Sequence, residues 1–191
     1  MINFKNTNFV KSAPSYMEAP ELKKDEVLII GRSNVGKSSL INALCSNKSL
    51  AFISSKPGHT KLLNFYNVDD RFYLVDAPGY GYSISSSHEV EFFGDLMEGY
   101  FSNSKKLKTV IFLLDSRRKL NKDDIDIYNY LKEEGINFLI VLTKCDKINQ
   151  KEKHQILTEI KNISPDKPIL TSTLNKNGLD ELKGAIEKSL L

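Results

Sequence analysis

Gly31-Arg32-Ser33-Asn34-Val35-Gly36-Lys37-Ser38 fits the pattern G-x-x-x-x-G-K-[ST], and no other stretch constrains the fold as tightly. Before it stands Val27-Leu28-Ile29-Ile30, an apolar, β-branched run of the kind a sheet buries. After it, Ser39-Leu40-Ile41-Asn42-Ala43-Leu44 spaces its apolar residues as one face of a helix. A strand, a glycine turn and a helix N-terminus together make an anion site. The glycines let backbone N–H groups point inward, and the helix dipole adds partial positive charge. In that setting Gly31 to Ser39 form a phosphate cradle, Lys37 reaches the β- and γ-phosphates, and the Ser38 hydroxyl is a ligand for Mg²⁺.

The rest of the chain supplies a sheet for this loop to sit on. Residues 1–24 are weakly periodic and broken by Pro14 and Pro20; they read as an arm packed on the domain, with one short strand near Asn3–Val10. Ser46 to Thr60 is a polar loop, long enough to be functional, that contains Lys56-Pro57-Gly58-His59-Thr60. Leu62–Val68 and Arg71–Val75 flank Asp69-Asp70 as a hairpin. Val90, Phe93, Met97, Tyr100 and Phe101 recur at helical spacing, as a core-facing stripe does.

Strands Thr109–Leu114, Ile136–Leu142 and Pro168–Thr171 then alternate with helices Lys122–Glu134, Lys151–Ile160 and Leu179–Leu190. The expected fold is one α/β domain over residues 25–191. Its sheet is mostly parallel and six-stranded with one antiparallel strand, and helices cover both faces.

Composition agrees: 191 residues, 40% apolar and 27% charged, are ordinary for one globular domain. No apolar run approaches the roughly 18 residues that span a bilayer, and the first twenty residues lack a hydrophobic signal core. A cytoplasmic protein with no membrane partner is the expectation. Cys45 and Cys145 form no CxxC pair and read as reduced thiols. His59, His88 and His154 are far apart, so no zinc site is expected. The formal net charge of +3 permits an RNA partner without demanding one.

Three further motifs carry chemistry. Asp76-Ala77-Pro78-Gly79 ends a strand some forty residues after the phosphate loop. Its carboxylate suits Mg²⁺ and its glycine amide faces a γ-phosphate. Thr143-Lys144-Cys145-Asp146 fits [NT]-K-x-D. Guanine offers N1–H and N2–H donors on one edge, and one carboxylate accepts both; adenine would face Asp146 with a lone pair. The aliphatic stem of Lys144 covers a face of the base. Thr171-Ser172-Thr173 closes the last strand, where backbone amides reach guanine O6 or simply open a helix. Thr60, the one threonine of the long loop, completes the Mg²⁺ shell when GTP is present.

In this order the pieces make a guanine-nucleotide switch. Together with Pro57-Gly58-His59-Thr60, Asn64-Phe65, Gly79-Tyr80-Gly81-Tyr82 and Asp115-Ser116-Arg117, they resemble the EngB family of bacterial P-loop GTPases over nearly the whole chain. The resemblance implies a single GTPase domain that hydrolyses GTP to GDP and phosphate. It also implies a monomer that acts in assembly of the large ribosomal subunit, and through it in growth, septation and cell division. Its partners would then be GTP or GDP, ribosomal RNA and ribosomal proteins. His59 stands where the family more often has Arg or Lys, and Ala77 where leucine is commoner; neither departure removes a ligand.

Ras-type GTPases place a water-orienting glutamine directly after Asp-x-x-Gly, where this chain has Tyr80. Intrinsic turnover is therefore expected at or below the order of 10⁻⁴ s⁻¹, with a partner or a monovalent cation completing the site. The groups assigned to catalysis are Lys37, Thr60, Gly79 and Asn34. Asn34 either helps to bind K⁺ or only shapes the turn. Tyr80 and Tyr82 either stack on a base or pack their own loop. Lys105-Lys106-Lys108 and Arg117-Arg118-Lys119 are either an RNA contact or solvated faces. Two rival readings remain: a nucleotide-gated binding module with negligible turnover, and an ATP-dependent kinase sharing only the phosphate loop. Thr143–Asp146 argues against the kinase.

Overall fold

The structure, a computed structural model, describes residues 1–21, 24–52, 62–81 and 87–191, and for 87–92 the backbone alone. Its strands are β1 (Thr7–Ala13), β2 (Asp25–Gly31), β3 (Leu63–Val68), β4 (Phe72–Asp76), β5 (Leu107–Asp115), β6 (Phe138–Thr143) and β7 (Ile169–Leu170). The helices are α1 (Lys37–Leu44), α2 (Ser87–Asn103), α3 (Lys122–Glu133), α4 (Gln150–Ile163) and α5 (Leu179–Ser189).

Among the described residues, seven strands form one sheet in the order β1-β3-β4-β2-β5-β6-β7. Only β3 runs against the others, because the hairpin through Asp69-Asp70 reverses it against β4 and β1 then pairs antiparallel to it. The fold class is the expected one, with one strand more than the expected six. The seventh is β1: residues of the expected arm hydrogen-bond along β3 and become the sheet edge. A short strand was expected near Asn3–Val10, but not its place in the main sheet: an edge strand with mostly exposed side chains carries little alternation to mark its bounds or its partner.

The central strand β2 has helices over both faces, so its residues alternate between two cores. Leu28 and Ile30 pack with Phe65, Phe112, Tyr100, Leu131 and Ile160, under α2, α3 and α4. Val27 and Ile29 pack with Leu40, Ile41, Phe72, Leu182 and Ile186, under α1 and α5. Of the helical stripe, Met97 and Tyr100 are buried and Phe93 and Phe101 half-buried against the first core; the side chain of Val90 lies outside the described residues. Near the start of β2, buried Glu26 accepts from the hydroxyls of Tyr16, Tyr100 and Ser104. Because β2, β4, β5, β6 and β7 are parallel, their C-terminal ends share one edge, and the loops after them converge there.

Candidate functional site

At the end of β2 the chain turns through Arg32–Gly36 into α1. Asn34 takes φ +61°, a left-handed conformation that asparagine tolerates better than most residues. Gly36, at φ +112°, is the N-cap of α1, where a side chain would be strained. Among the described residues no side chain caps α1, so its first amides are left for an external acceptor. Lys37, Ser38 and Ser39 are half-buried in that first turn. Burial pushes the Lys37 ammonium below its ordinary range, and Asp76 pulls the other way.

Asp76 ends β4 beside Ile29 of β2. It is 3% exposed, and among the described residues its Oδ1 has no hydrogen-bond partner. Burial raises its pKa to about 6, against the pull of Lys37. A carboxylate oxygen buried without a donor is unusual unless a cation or its water completes it. Ala77 and Pro78 are buried, leaving only their backbone to a ligand.

Gly79 then lies directly on the phosphate loop. A Cβ there would come within 2.8 Å of Ser33 Cα and N, so only glycine fits. The Ser33 hydroxyl donates to the Gly79 carbonyl at 3.3 Å and the Ser33 amide to the Tyr80 carbonyl at 2.9 Å. Arg32 and Tyr80 pair as an isolated parallel bridge. The two loops are thus zipped together by backbone.

For Tyr80 the structure decides between the two alternatives. Its side chain is buried, tilted against Phe93 with its hydroxyl donating to Asp124, so it does not stack on an external base. Tyr82 lies outside the described residues, as do Pro57, Gly58, His59 and Thr60.

From β6, the buried Thr143 hydroxyl donates to Val35 O at 2.7 Å, and Val35 is itself buried. Lys144, at φ +59°, donates through Nζ to Asn34 O at 2.6 Å and to Asp115 Oδ2 at 2.9 Å. Its stem passes Gly36, where an added Cβ would lie 3.8 Å from Lys144 Cε. Asp115 also takes two bonds from the Arg117 guanidinium, at 2.9 and 2.7 Å. Burial would raise its pKa, but the hydrogen bonds from Arg117 and Lys144 hold it at about 2.

Asp146 is exposed, and its Oδ1 accepts from Ser172 Oγ at 2.6 Å. The Ser172 amide donates to Asn177 O, so Ser172 orients a carboxylate rather than offering its N–H outward. Thr171 is buried with its hydroxyl on Leu142 O. Cys145 is half-buried, its thiol on Leu142 O and pushed up by burial.

Lys37, Ser38, Asp76, Gly79, Lys144 and Asp146 therefore meet along one sheet edge. An ammonium, uncapped helix amides, a hydroxyl and a partnerless carboxylate suit a polyphosphate carrying a divalent cation. Thr143, Thr171, Val35 and Ala77, counted among the ligands from sequence, have buried side chains that hold the loops and leave their backbone to meet a ligand. Two acids were not assigned roles from sequence: Asp115, which anchors Lys144, and Asp124, which anchors Tyr80. Asp115 carried a weak signal, a strand-ending acid two residues before Arg117; Asp124, inside the expected helix Lys122–Glu134, was not singled out.

The family described as "50S ribosome-binding GTPase" matches residues 26–144, more than half of the chain. A "Probable GTP-binding protein EngB" of Clostridium beijerinckii is 42% identical over 185 residues, covering 95% of this chain and 93% of that protein. A crystal structure of "a probable GTP-binding protein engB" superposes with a TM-score of 0.68 at 23% identity, covering 86% of this chain and 98% of that one. Era, in a complex with MgGDPNP and a segment of 16S ribosomal RNA, is 27% identical with a TM-score of 0.68, covering 90% of this chain and 58% of Era.

Proposed function

The chain belongs to the EngB family of GTP-binding proteins, which are P-loop GTPases, and from that premise we propose that it acts as a GTP-driven switch in assembly of the large ribosomal subunit. The observation that carries the nucleotide part is Asp76 Oδ1, buried without a partner in the field of half-buried Lys37 at the foot of the uncapped helix α1. Ser38, Asp76 and Thr60 would hold Mg²⁺, which when bound neutralises charge developing on the β- and γ-phosphate oxygens. The chain's own groups do the rest. Lys37 sets its ammonium against the phosphates and Gly79 offers its amide to the γ-phosphate. Asp146, oriented by Ser172, accepts the two guanine donors while the Lys144 stem covers the base.

The ribosomal part is supported by the description of the matching family and by the basic runs at Lys105–Lys108 and Arg117–Lys119. When GTP orders the loops at Thr60 and Gly79, a partner that prefers the ordered form binds the GTP state more tightly. Co-sedimentation with large ribosomal subunits tests this. Pelleting with a non-hydrolysable GTP analogue and release with GDP is the expected result, and equal pelleting in both overturns the switch.

Tyr80 favours a second reading. With its hydroxyl committed to Asp124, it orients no water, and intrinsic hydrolysis stays at or below the order of 10⁻⁴ s⁻¹. If large subunits fail to stimulate hydrolysis, the protein is a nucleotide-gated binding module whose turnover hardly matters. Asn34 is the candidate for K⁺, which would supply positive charge beside the phosphates.

A further inference from the structure

A cleft of about 690 Å³ opens between α2 and α3, with Gly79, Tyr80 and Gly81 in its wall. Phe93, Met97 and Phe101 of α2 and Ile127 and Tyr130 of α3 make its lining apolar and aromatic. Its rim is acidic from both helices: exposed Asp95 and Glu98 on one side, and Asp123, Asp126 and Glu134 on the other. No Lys or Arg lines it, and among the described residues none of these carboxylates forms an ion pair. Burial raises the Tyr130 phenol, and Glu134 and Glu98 raise it further, so both walls act on one point. On a chain of formal net charge +3, this is a locally inverted surface.

We propose that the α2/α3 cleft docks a lysine- or arginine-rich protein segment whose apolar side chains enter the aromatic lining while its cations meet the rim. Phosphate backbones are repelled from such a rim, which separates this face from any RNA contact. Apolar anchors supply the affinity and the carboxylates select the sign of the partner. The cleft shares Gly79 with the phosphate side, but its aromatic lining and acidic rim hold no group assigned to the nucleotide, so the proposal holds whether or not the ribosomal reading does.

The test uses the full chain loaded with GDP and three synthetic amphipathic helical peptides, read by fluorescence anisotropy. The first carries leucine on one face and lysine on the other; the second has glutamate for lysine, and the third serine for leucine. The expected result is binding of the first alone, weakened at least about tenfold by the double variant Glu98→Lys/Asp126→Lys and also by Tyr130→Ser, with GDP affinity unchanged in both. Equal binding of all three peptides, no binding of the first, or indifference to both variants would overturn the proposal. So would sedimentation showing that the wild-type chain self-associates through this face, or binding of a single-stranded RNA to the wild-type chain that Tyr130→Ser abolishes.

Discussion

The Tyr80 hydroxyl donates to Asp124 Oδ1 over 2.8 Å, tying the loop after Gly79 to the first turn of α3. The other oxygen, Asp124 Oδ2, accepts from the Asn121 amide and completes the capping box of that helix. One carboxylate thus joins the loop after Gly79 to a helix start. Burial first, and Asp124 beside it, push the phenol far above its ordinary range, so it stays a donor.

Tyr80→Phe keeps the ring on Phe93 and removes only that bond. A hydrogen bond to a charged acceptor is worth about 1.5–3 kcal/mol, and the capping box keeps Asp124 partly satisfied, so the expected loss of stability is near the lower figure. Denaturant midpoints of the nucleotide-free protein measure it. Hydrogen exchange at Gly81 should quicken more than exchange in the sheet; uniform quickening would mean the bond does not hold this loop.

Asp115 predicts an acid limb. Its folded pKa of about 2 lies below the ordinary carboxylate value, so its stabilisation is fully present above about pH 4 and is lost as pH falls through 2. The shift corresponds to about 2 kcal/mol for a side chain only 8% exposed. Asp115→Asn should lose that amount at neutral pH and flatten the stability curve between pH 4 and 2. An unchanged curve would contradict the pairing with Arg117 and Lys144.

Lys37→Ala should weaken GDP and GTP binding at least about 100-fold, the worth of one or two charge-assisted hydrogen bonds. Burial already disfavours the ammonium, so the empty protein should not unfold more easily. Calorimetry gives the affinity; undiminished GTP binding would remove the cradle.

Asp146→Asn should move preference from guanine toward xanthine, whose 2-oxo group accepts from the new amide. The change in the GTP-to-XTP ratio is expected to reach at least about 100-fold, because the mismatched pair leaves polar groups unpaired. Competition binding with the two triphosphates decides it, and retained preference for GTP would refute base reading by Asp146.

Asn34 separates its two roles by substitution. Glycine accepts φ +61° as readily, so Asn34→Gly keeps the turn and the carbonyl that Lys144 binds while removing the side-chain amide. Single-turnover hydrolysis should be faster in K⁺ than in Na⁺ for the natural chain and equal in the variant. Equal rates in the natural chain would leave Asn34 only its turn.

The phosphate loop, the Asp76 turn and Thr143–Asp146 were legible because each is a local motif, whose strand, glycine or acid can be read within a few residues. What those motifs touch was not legible. Thr143 reaches Val35 across 108 positions and Lys144 reaches Asn34 across 110, and no periodicity encodes a pair so far apart. Tyr80 looked like an exposed aromatic in a glycine-rich loop until α3 supplied Asp124. The strand β1 was weak by itself and became one by pairing with β3.

Short-range chemistry in the chain therefore settled which groups exist: an ammonium after a glycine turn, a strand-ending acid, and the carboxylate of Thr143–Asp146, each legible within its own segment. Folding decided which of them face outward. The parallel sheet brought five strand ends to one edge, spent the hydroxyls of Thr143 and Thr171 on neighbouring backbone, and left Asp76 Oδ1 without a donor. That division is physical: a side chain's chemistry belongs to the residue, but whether a polar atom is satisfied depends on what the fold sets beside it.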